Sequence, residues 1–137
     1  MNEPESFRRA TELWQEAYRR QMKGELDDAI ELYRRSIEMC PTAEAHTFLG
    51  WTLSFQGRLE EATEQCLRAI DIDPEFGNPY NDIGVYLMQQ GKLDEAIPWL
   101  QKTKQASLAG WRPGGHSVAA DEVKVEGTSV YIEWRQR

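Results

Sequence analysis

Paired carboxylates are the first candidates for chemistry in this chain of 137 residues. Two adjacent carboxyl groups can share the roles of general acid and general base. Carboxylates in the first turn of a helix also interact favourably with the positive end of the helix dipole. Because the pairs recur at the same place in a repeated segment, we interpret them as helix starts rather than as catalytic groups. The pairs are Asp27-Asp28, Glu60-Glu61 and Asp94-Glu95.

Two cysteines and two histidines are the second candidates, because thiols and imidazoles can bind a metal or form a nucleophile with its base. These residues are Cys40, His46, Cys66 and His116. The sequence contains no C-x-x-C, no H-E-x-x-H and no glycine-rich phosphate loop. Cys66 falls at an apolar position of a helical pattern and Cys40 precedes a proline, so we expect both to be free, buried thiols. We therefore predict no metal site, no cofactor and no enzymatic activity.

The carboxylate pairs lie in a segment that occurs three times, at residues 24–41, 57–74 and 91–108. The second copy reads GRLEEATEQCLRAIDIDP. The glycines that open the copies are 33 and 34 residues apart, a period typical of a supersecondary unit stacked on copies of itself. Apolar residues recur at helical spacing within each copy, so the pattern predicts two helices per unit, each of about 14 residues.

Glycine, alanine and proline define the predicted helix pair. Gly24, Gly57 and Gly91 suit the left-handed conformation that ends one helix and lets the chain reverse. Pro41 and Pro74 end the first two copies, because proline cannot continue a helix. Small residues on both helices of each pair predict a close crossing. They are Ala17, Gly50 and Gly84 on the first helix, and Ala29, Ala62 and Ala96 on the second.

With these residues in register, the chain resembles the tetratricopeptide-repeat (TPR) family. The resemblance covers residues 10–108. It rests on the motif L-G-W at residues 49–51, which is followed by Gly57, and on I-G-V-Y at residues 83–86, which is followed by Gly91. The alanines and prolines named above complete the pattern. It implies an all-α fold, a right-handed superhelix (α-solenoid) of three helix-turn-helix repeats. The first copy departs from the family pattern with Ala17, and the third has Pro98 in its second helix and no closing proline. The repeats span about residues 10–42, 43–76 and 77–108, after an N-terminal extension at residues 1–9.

The resemblance implies that the first helix of each pair lines a concave face, which holds an extended peptide or a partner helix. Helical spacing independently places Trp14 and Tyr18 on one face, and Phe48, Trp51 and Phe55 on one face. The predicted peptide-binding residues are Trp14, Tyr18, Phe48, Trp51, Phe55, Asn78, Asn81, Asp82 and Val85. Gln21, Met22, Thr47, Ser54 and Met88 are predicted to extend the same lining.

Three of these residues have alternative interpretations that the sequence leaves open. Phe48 fits the core between repeats as well as it fits the groove. Asn78 is a candidate N-cap for the third pair's first helix, with Pro79 in the first turn. Asn81 fits better as a donor and acceptor for a peptide backbone.

One branch of the family binds the C-terminal carboxylates of chaperone tails through lysine, arginine and asparagine side chains on the first helix of each pair. Trp14, Tyr18, Phe48, Asn78 and Asp82 occupy the places where that clamp is expected. A groove without lysine or arginine there does not favour an acidic peptide terminus. We therefore predict an apolar or basic partner rather than an acidic one.

The net charge of −7 is concentrated in residues 42–100, which carry 3 basic and 10 acidic side chains. An acidic middle disfavours nucleic acid and favours a basic partner where it faces a binding surface, although a solvated helical surface would have the same composition. No apolar run is long enough to span a membrane, and the N-terminus MNEPESFRRA lacks a signal-peptide core. We expect a cytoplasmic protein that binds neither nucleic acid nor membrane.

The tail, residues 109–137, breaks the repeat pattern. Glycine and proline mark a loop at residues 110–117, and alternating apolar residues predict a β-hairpin over 122–134 with a turn at 126–129. Docking on the third repeat, disorder and occupation of the groove are the three arrangements left open.

The repeat pattern predicts a non-enzymatic protein–protein interaction module or scaffold, which binds a peptide or partner helix in an aromatic concave groove. The alternative function is a structural repeat protein that associates weakly with itself, end to end through the third repeat.

Overall fold

The computed structural model of the chain describes residues 4–110, 119–126 and 129–135, with side chains as far as residue 103. Within these ranges the chain forms two compact units, Met1–Ile72 and Asp73–Arg137, and each is described by itself. Unit 1 contains α1 (Glu5–Met22), α2 (Leu26–Met39), α3 (Ala43–Phe55) and α4 (Leu59–Ile72). Unit 2 contains α5 (Asn78–Gln89), α6 (Leu93–Gly110), β1 (Ala119–Glu126) and β2 (Ser129–Arg135).

The three predicted helix pairs are present, and a glycine in the left-handed conformation joins the two helices of each. Gly24, Gly57 and Gly91 have φ of 80°, 76° and 77°. At the first turn the amide of Gly24 donates to the carbonyl oxygen of Gln21 at 2.9 Å, and the amide of Glu25 donates to that of Arg20 at 3.0 Å. These bonds satisfy carbonyl groups at the end of α1. The all-α helical repeat predicted from the sequence is therefore confirmed.

Small residues allow the two helices of the second pair to cross closely. A Cβ atom on Gly50 would lie 2.8 Å from the backbone oxygen of Ala62 and 3.5 Å from the Sγ atom of Cys66. Ala62 and Cys66 are fully buried, as expected for core positions. The predicted pairing of Gly50 with Ala62 is the contact that sets this crossing.

Two buried hydrogen bonds hold α2 against α1. The Tyr33 hydroxyl donates to Oε1 of Gln21 at 2.7 Å, and the Ser36 hydroxyl donates to the carbonyl oxygen of Ala10 at 2.6 Å. The placement of Gln21 in the groove lining was wrong, because this side chain is buried against Tyr33. Thr47 is also buried, and its hydroxyl donates to the carbonyl oxygen of Ala43 at 2.7 Å. Both polar side chains therefore complete the interior of unit 1.

The third pair, in unit 2, also crosses at a glycine. A Cβ atom on Gly84 would lie 2.5 Å from Cδ2 of Leu100, which is fully buried, so Gly84 faces the side chain of Leu100 on α6. Helix α6 continues through Pro98. The first hydrogen bond of this helix runs from the amide of Ala96 to the carbonyl oxygen of Lys92 at 3.1 Å. Pro98 comes after that bond, so the N–H that proline lacks removes one hydrogen bond inside the helix.

The two strands of unit 2 are antiparallel, with Val123 opposite Ile132 and Val125 opposite Val130. They overlap the segment predicted to form a hairpin, and β1 lies alongside α6 and approaches α5. The predicted turn includes residues 127–128, and most of the predicted loop falls at residues 111–118; both stretches lie outside the described residues.

Among the described residues, no helix combines the length and the apolar character that crossing a membrane requires.

Candidate functional site

Five aromatic side chains on α1 and α3 form a continuous set of ring contacts in unit 1, which we call the aromatic row. Its members are Trp14, Tyr18, Phe48, Trp51 and Phe55. The ring of Phe48 lies 5.5 Å from that of Trp14 and 5.6 Å from that of Tyr18, centroid to centroid. Trp51 lies 6.5 Å from Tyr18 and 5.4 Å from Phe55. The rings are tilted to one another, an arrangement that aromatic quadrupoles favour.

Helical periodicity explains why these residues meet. Trp14 and Tyr18 are four residues apart on α1, and the three members on α3 are three and four residues apart, so each set projects from one side of its helix. Because α1 and α3 are the first helices of successive pairs, the row is built by two repeats together. The structure therefore brings together the predicted site residues of the first two repeats.

The members of the row differ in exposure, from the buried Phe48 to the exposed Phe55. Phe48 is 2% exposed, so it belongs to the interface between α1 and α3 and supports the other rings. Trp14, Tyr18 and Trp51 are half-buried, with part of each ring open to solvent. Phe55 is 57% exposed. Such a surface can bind an apolar segment, because large aromatic groups lose hydration at little cost in conformational entropy.

The predicted site residues of the third repeat lie on α5 in unit 2, where Asn78, Asn81 and Asp82 form a buried amide cluster. Nδ2 of Asn81 donates to Oδ1 of Asp82 at 3.2 Å. Among the described residues, Oδ1 of Asn81 and both polar side-chain atoms of Asn78 have no hydrogen-bond partner. Val85 is half-buried on the same helix. Because these atoms are closed to solvent, the described structure gives a ligand no direct access to them.

The prediction that Asn78 caps a helix was wrong. Helix α5 is preceded by Gly77 at the N-cap position, and no side chain caps it. Asn78 is the first helical residue, followed by Pro79 in the first turn as predicted. The side chain of Asn78 is 0% exposed and makes no capping hydrogen bond.

The cysteines and histidines do not form a metal centre within the part of the chain that the structure describes. Cys66 is buried, Cys40 is half-buried, and both are free thiols. Nδ1 of His46 lies 2.7 Å from Oε1 of Gln65, and burial lowers the pKa of this imidazole. His116 lies outside the described residues.

Comparison with known proteins finds the same repeat in both units. The sequence profile of the tetratricopeptide repeat matches residues 15–75, and a second profile of that repeat matches residues 80–107. The small glutamine-rich tetratricopeptide repeat-containing protein 2 of Mycosarcoma maydis is 29% identical over 100 residues, which are 72% of this chain and 28% of that protein. The chain spans between 11% and 28% of the length of the curated relatives that it matches.

Two solved structures share the fold. The second TPR domain of Spaghetti (RPAP3), bound to the HSP90 peptide SRMEEVD, is 23% identical with a TM-score of 0.66, over 69% of this chain and 88% of that one. The TPR2B domain of yeast Sti1, in a pHsp70 complex, is 20% identical with a TM-score of 0.71, over 74% of this chain and 82% of that one. With two repeat profiles that together cover well over half of its residues, this chain belongs to the tetratricopeptide-repeat family.

Proposed function

We propose that this protein is a non-enzymatic protein-interaction module, in which the aromatic row binds an apolar segment of a partner protein as an extended peptide or a helix. The observation that carries the proposal is the exposure of the row. Phe48 is buried and contacts the rings of Trp14 and Tyr18, whereas the four other rings are half-buried or exposed. Partly exposed tryptophan and tyrosine over a packed support are typical anchors of protein interfaces.

The solved relatives support the general class of function. Two TPR domains of this fold are described with an HSP90 peptide and with pHsp70. Their identity to this chain is low, so the partner has to be inferred from the residues of this chain.

The chemistry of the row favours an apolar or basic partner over an acidic one. None of its five members carries a positive charge, so a carboxylate would lose its hydration without an ionic partner. The π faces of the rings attract a lysine or arginine side chain instead.

Removal of the two tryptophans tests this assignment. Peptides are selected from a random library on the wild-type protein, and their affinities are measured by fluorescence anisotropy. Trp14→Ala with Trp51→Ala is expected to weaken binding at least about tenfold, because anchor residues dominate interface energies. Met39→Ala with Leu67→Ala is the matched control, because these apolar side chains are each 43% exposed and lie outside the row.

Circular dichroism verifies that both double variants stay helical. Unchanged affinity in the tryptophan variant, or an equal loss in the control, would contradict the assignment of binding to the row.

A further inference from the structure

A notch of about 350 Å³ opens between α2, α3 and α4 in unit 1. Its size lies at the lower end of the range for ligand sites in proteins. Both guanidinium and apolar groups line it. The lining residues are Arg34, Ile37, Glu38, His46, Leu49, Gln65 and Arg68. We call this site the α2–α4 notch.

The α2–α4 notch is separate from the aromatic row. His46 and Leu49 line the notch, whereas Phe48 and Trp51 belong to the row. A shift of two residues along a helix turns the side chain by about 200°, so the two sets project from opposite sides of α3. Binding in one site therefore leaves the other free.

The floor of the notch is rigid and uncharged. Leu49 is 1% exposed and His46 is 7% exposed. Burial lowers the pKa of His46, so the ring is neutral at neutral pH. Oε1 of Gln65 can only accept a hydrogen bond, so Nδ1 of His46, 2.7 Å away, carries the proton and donates it to Gln65. The floor thus offers an apolar contact beside a fixed imidazole.

The rim of the notch carries two guanidinium groups, on Arg34 and Arg68, and one carboxylate, on Glu38. Arg68 pairs with Glu64 at 3.0 Å, but both side chains are more than half exposed, and such pairs exchange readily with solvent. Among the described residues, no carboxylate lies within 4 Å of Arg34. The hydrogen bond from Arg58 lowers the pKa of the Glu61 carboxyl, and Arg34 lies near enough to Glu61 for its charge to lower that pKa further. A partner carboxylate therefore competes with Glu64 for Arg68 and with Glu61 for Arg34, both at exposed positions.

We propose that the α2–α4 notch binds a glutamate or aspartate side chain of a partner protein, flanked by an apolar residue. The guanidinium groups of Arg34 and Arg68 form charge-assisted hydrogen bonds to the carboxylate, and the flanking side chain covers Leu49 and Ile37. Glu38 limits the positive charge of the rim, which suits a carboxylate better than a dianionic phosphate. This site thus has the opposite charge preference to the aromatic row.

His46 provides a direct readout, because the chain contains two histidines and their imidazole NMR signals can be assigned with His46→Gln. The probe is the peptide acetyl-Leu-Glu-Leu-amide, and its Gln counterpart is the comparison. At neutral pH and low salt we expect the Glu peptide to shift the His46 signals saturably at millimolar concentration. The Gln peptide should bind at least about fivefold more weakly, because it lacks the charge-assisted bonds.

Two variants locate the site. Arg34→Gln with Arg68→Gln is expected to weaken the Glu peptide at least about tenfold. Arg35→Gln is the matched control, because Arg35 neighbours Arg34 on α2 but lines a second notch with Leu13, Glu38 and Met39, of which Glu38 alone also lines the α2–α4 notch. It should leave the affinity unchanged.

Four results would overturn the proposal: no saturable shift of the His46 signals, equal affinity for the Glu and Gln peptides, unchanged affinity in the double arginine variant, or an equal loss in Arg35→Gln. If the double variant fails to fold, Arg68→Lys replaces it, because lysine keeps the charge and removes the guanidinium fork. An affinity unaffected by that substitution would equally overturn the proposal.

Discussion

His46 shows how one buried residue can make the stability of unit 1 depend on pH. Burial lowers the pKa of its imidazole; the hydrogen bond with Gln65 opposes this shift, and the charge of Arg68 adds to it. The other charged groups around the ring are Arg34 and Glu38, which line the same notch. In the unfolded chain a histidine keeps its ordinary pKa of about 6.5. The unfolded state therefore takes up a proton at a higher pH than the folded state does.

Stability is accordingly expected to fall as the pH decreases below about 6.5, until the folded state is protonated as well. Thermal unfolding of the wild type and of His46→Gln, followed at several pH values between about 7.5 and 5.5, measures this effect. The variant should lose most of the decline in unfolding temperature, whereas His116→Gln serves as the control and should retain it. Parallel curves for the wild type and His46→Gln would contradict the prediction.

Asn78 and Gln21 show what a helical pattern leaves undetermined at single residues. The pattern placed both on the first helices of their pairs, which is correct. It could not tell that Gln21 turns towards the hydroxyl of Tyr33, because that choice depends on the packing of α2. Nor could it fix the first residue of α5, because Gly77 and Asn78 are both acceptable N-caps.

At the scale of elements, the helix pair is the unit that the sequence predicts well. The left-handed glycines follow from local sterics that repeat in each copy. The contact between Gly50 and Ala62 follows from the small residues that the sequence places on both helices of the second pair. The α2–α4 notch was not predicted from the sequence. Arg34 and Arg68 are 34 residues apart, whereas the first and second copies of the repeated segment are offset by 33 residues. They therefore occupy different repeat positions, and only the packing of α2 against its neighbours places them around one site.

The crossing of α3 and α4 leads to a prediction about Gly50. Alanine is a better helix former than glycine by about 1 kcal/mol. The added Cβ would nevertheless lie 2.8 Å from the backbone oxygen of Ala62, so the helices would have to move apart. We expect Gly50→Ala to lower the free energy of unfolding by about 1–3 kcal/mol, as overpacking does.

Urea unfolding of Gly50→Ala measures this change. Glu64→Ala, at an exposed position of α4, is the control and should change stability little. A Gly50→Ala variant as stable as the wild type would mean that the crossing tolerates an extra methyl group.

At the scale of the whole molecule, charge separates the two proposed binding modes. The chain carries 16 basic and 23 acidic residues, and its middle is the most acidic part. The electrostatic field of this net negative charge attracts basic partners over a distance and repels acidic ones. An acidic group therefore binds only where arginines contact it directly, as we propose for Arg34 and Arg68. The −7 charge could be read from composition, but its consequence for binding depends on the α2–α4 notch, which only the structure shows.

The salt dependence of peptide binding to the aromatic row tests this field. Two selected peptides that share an apolar anchor are compared, one with flanking lysines and one with flanking serines. Raising NaCl from about 20 mM to about 500 mM shortens the screening length to a few ångströms. The affinity of the lysine peptide should fall several-fold, whereas that of the serine peptide should stay nearly constant, because apolar contacts are insensitive to screening. Equal salt responses of the two peptides would show that the electrostatic field does not reach the aromatic row. Tighter binding of a peptide with flanking glutamates would show that the field at the row has the opposite sign to the one predicted.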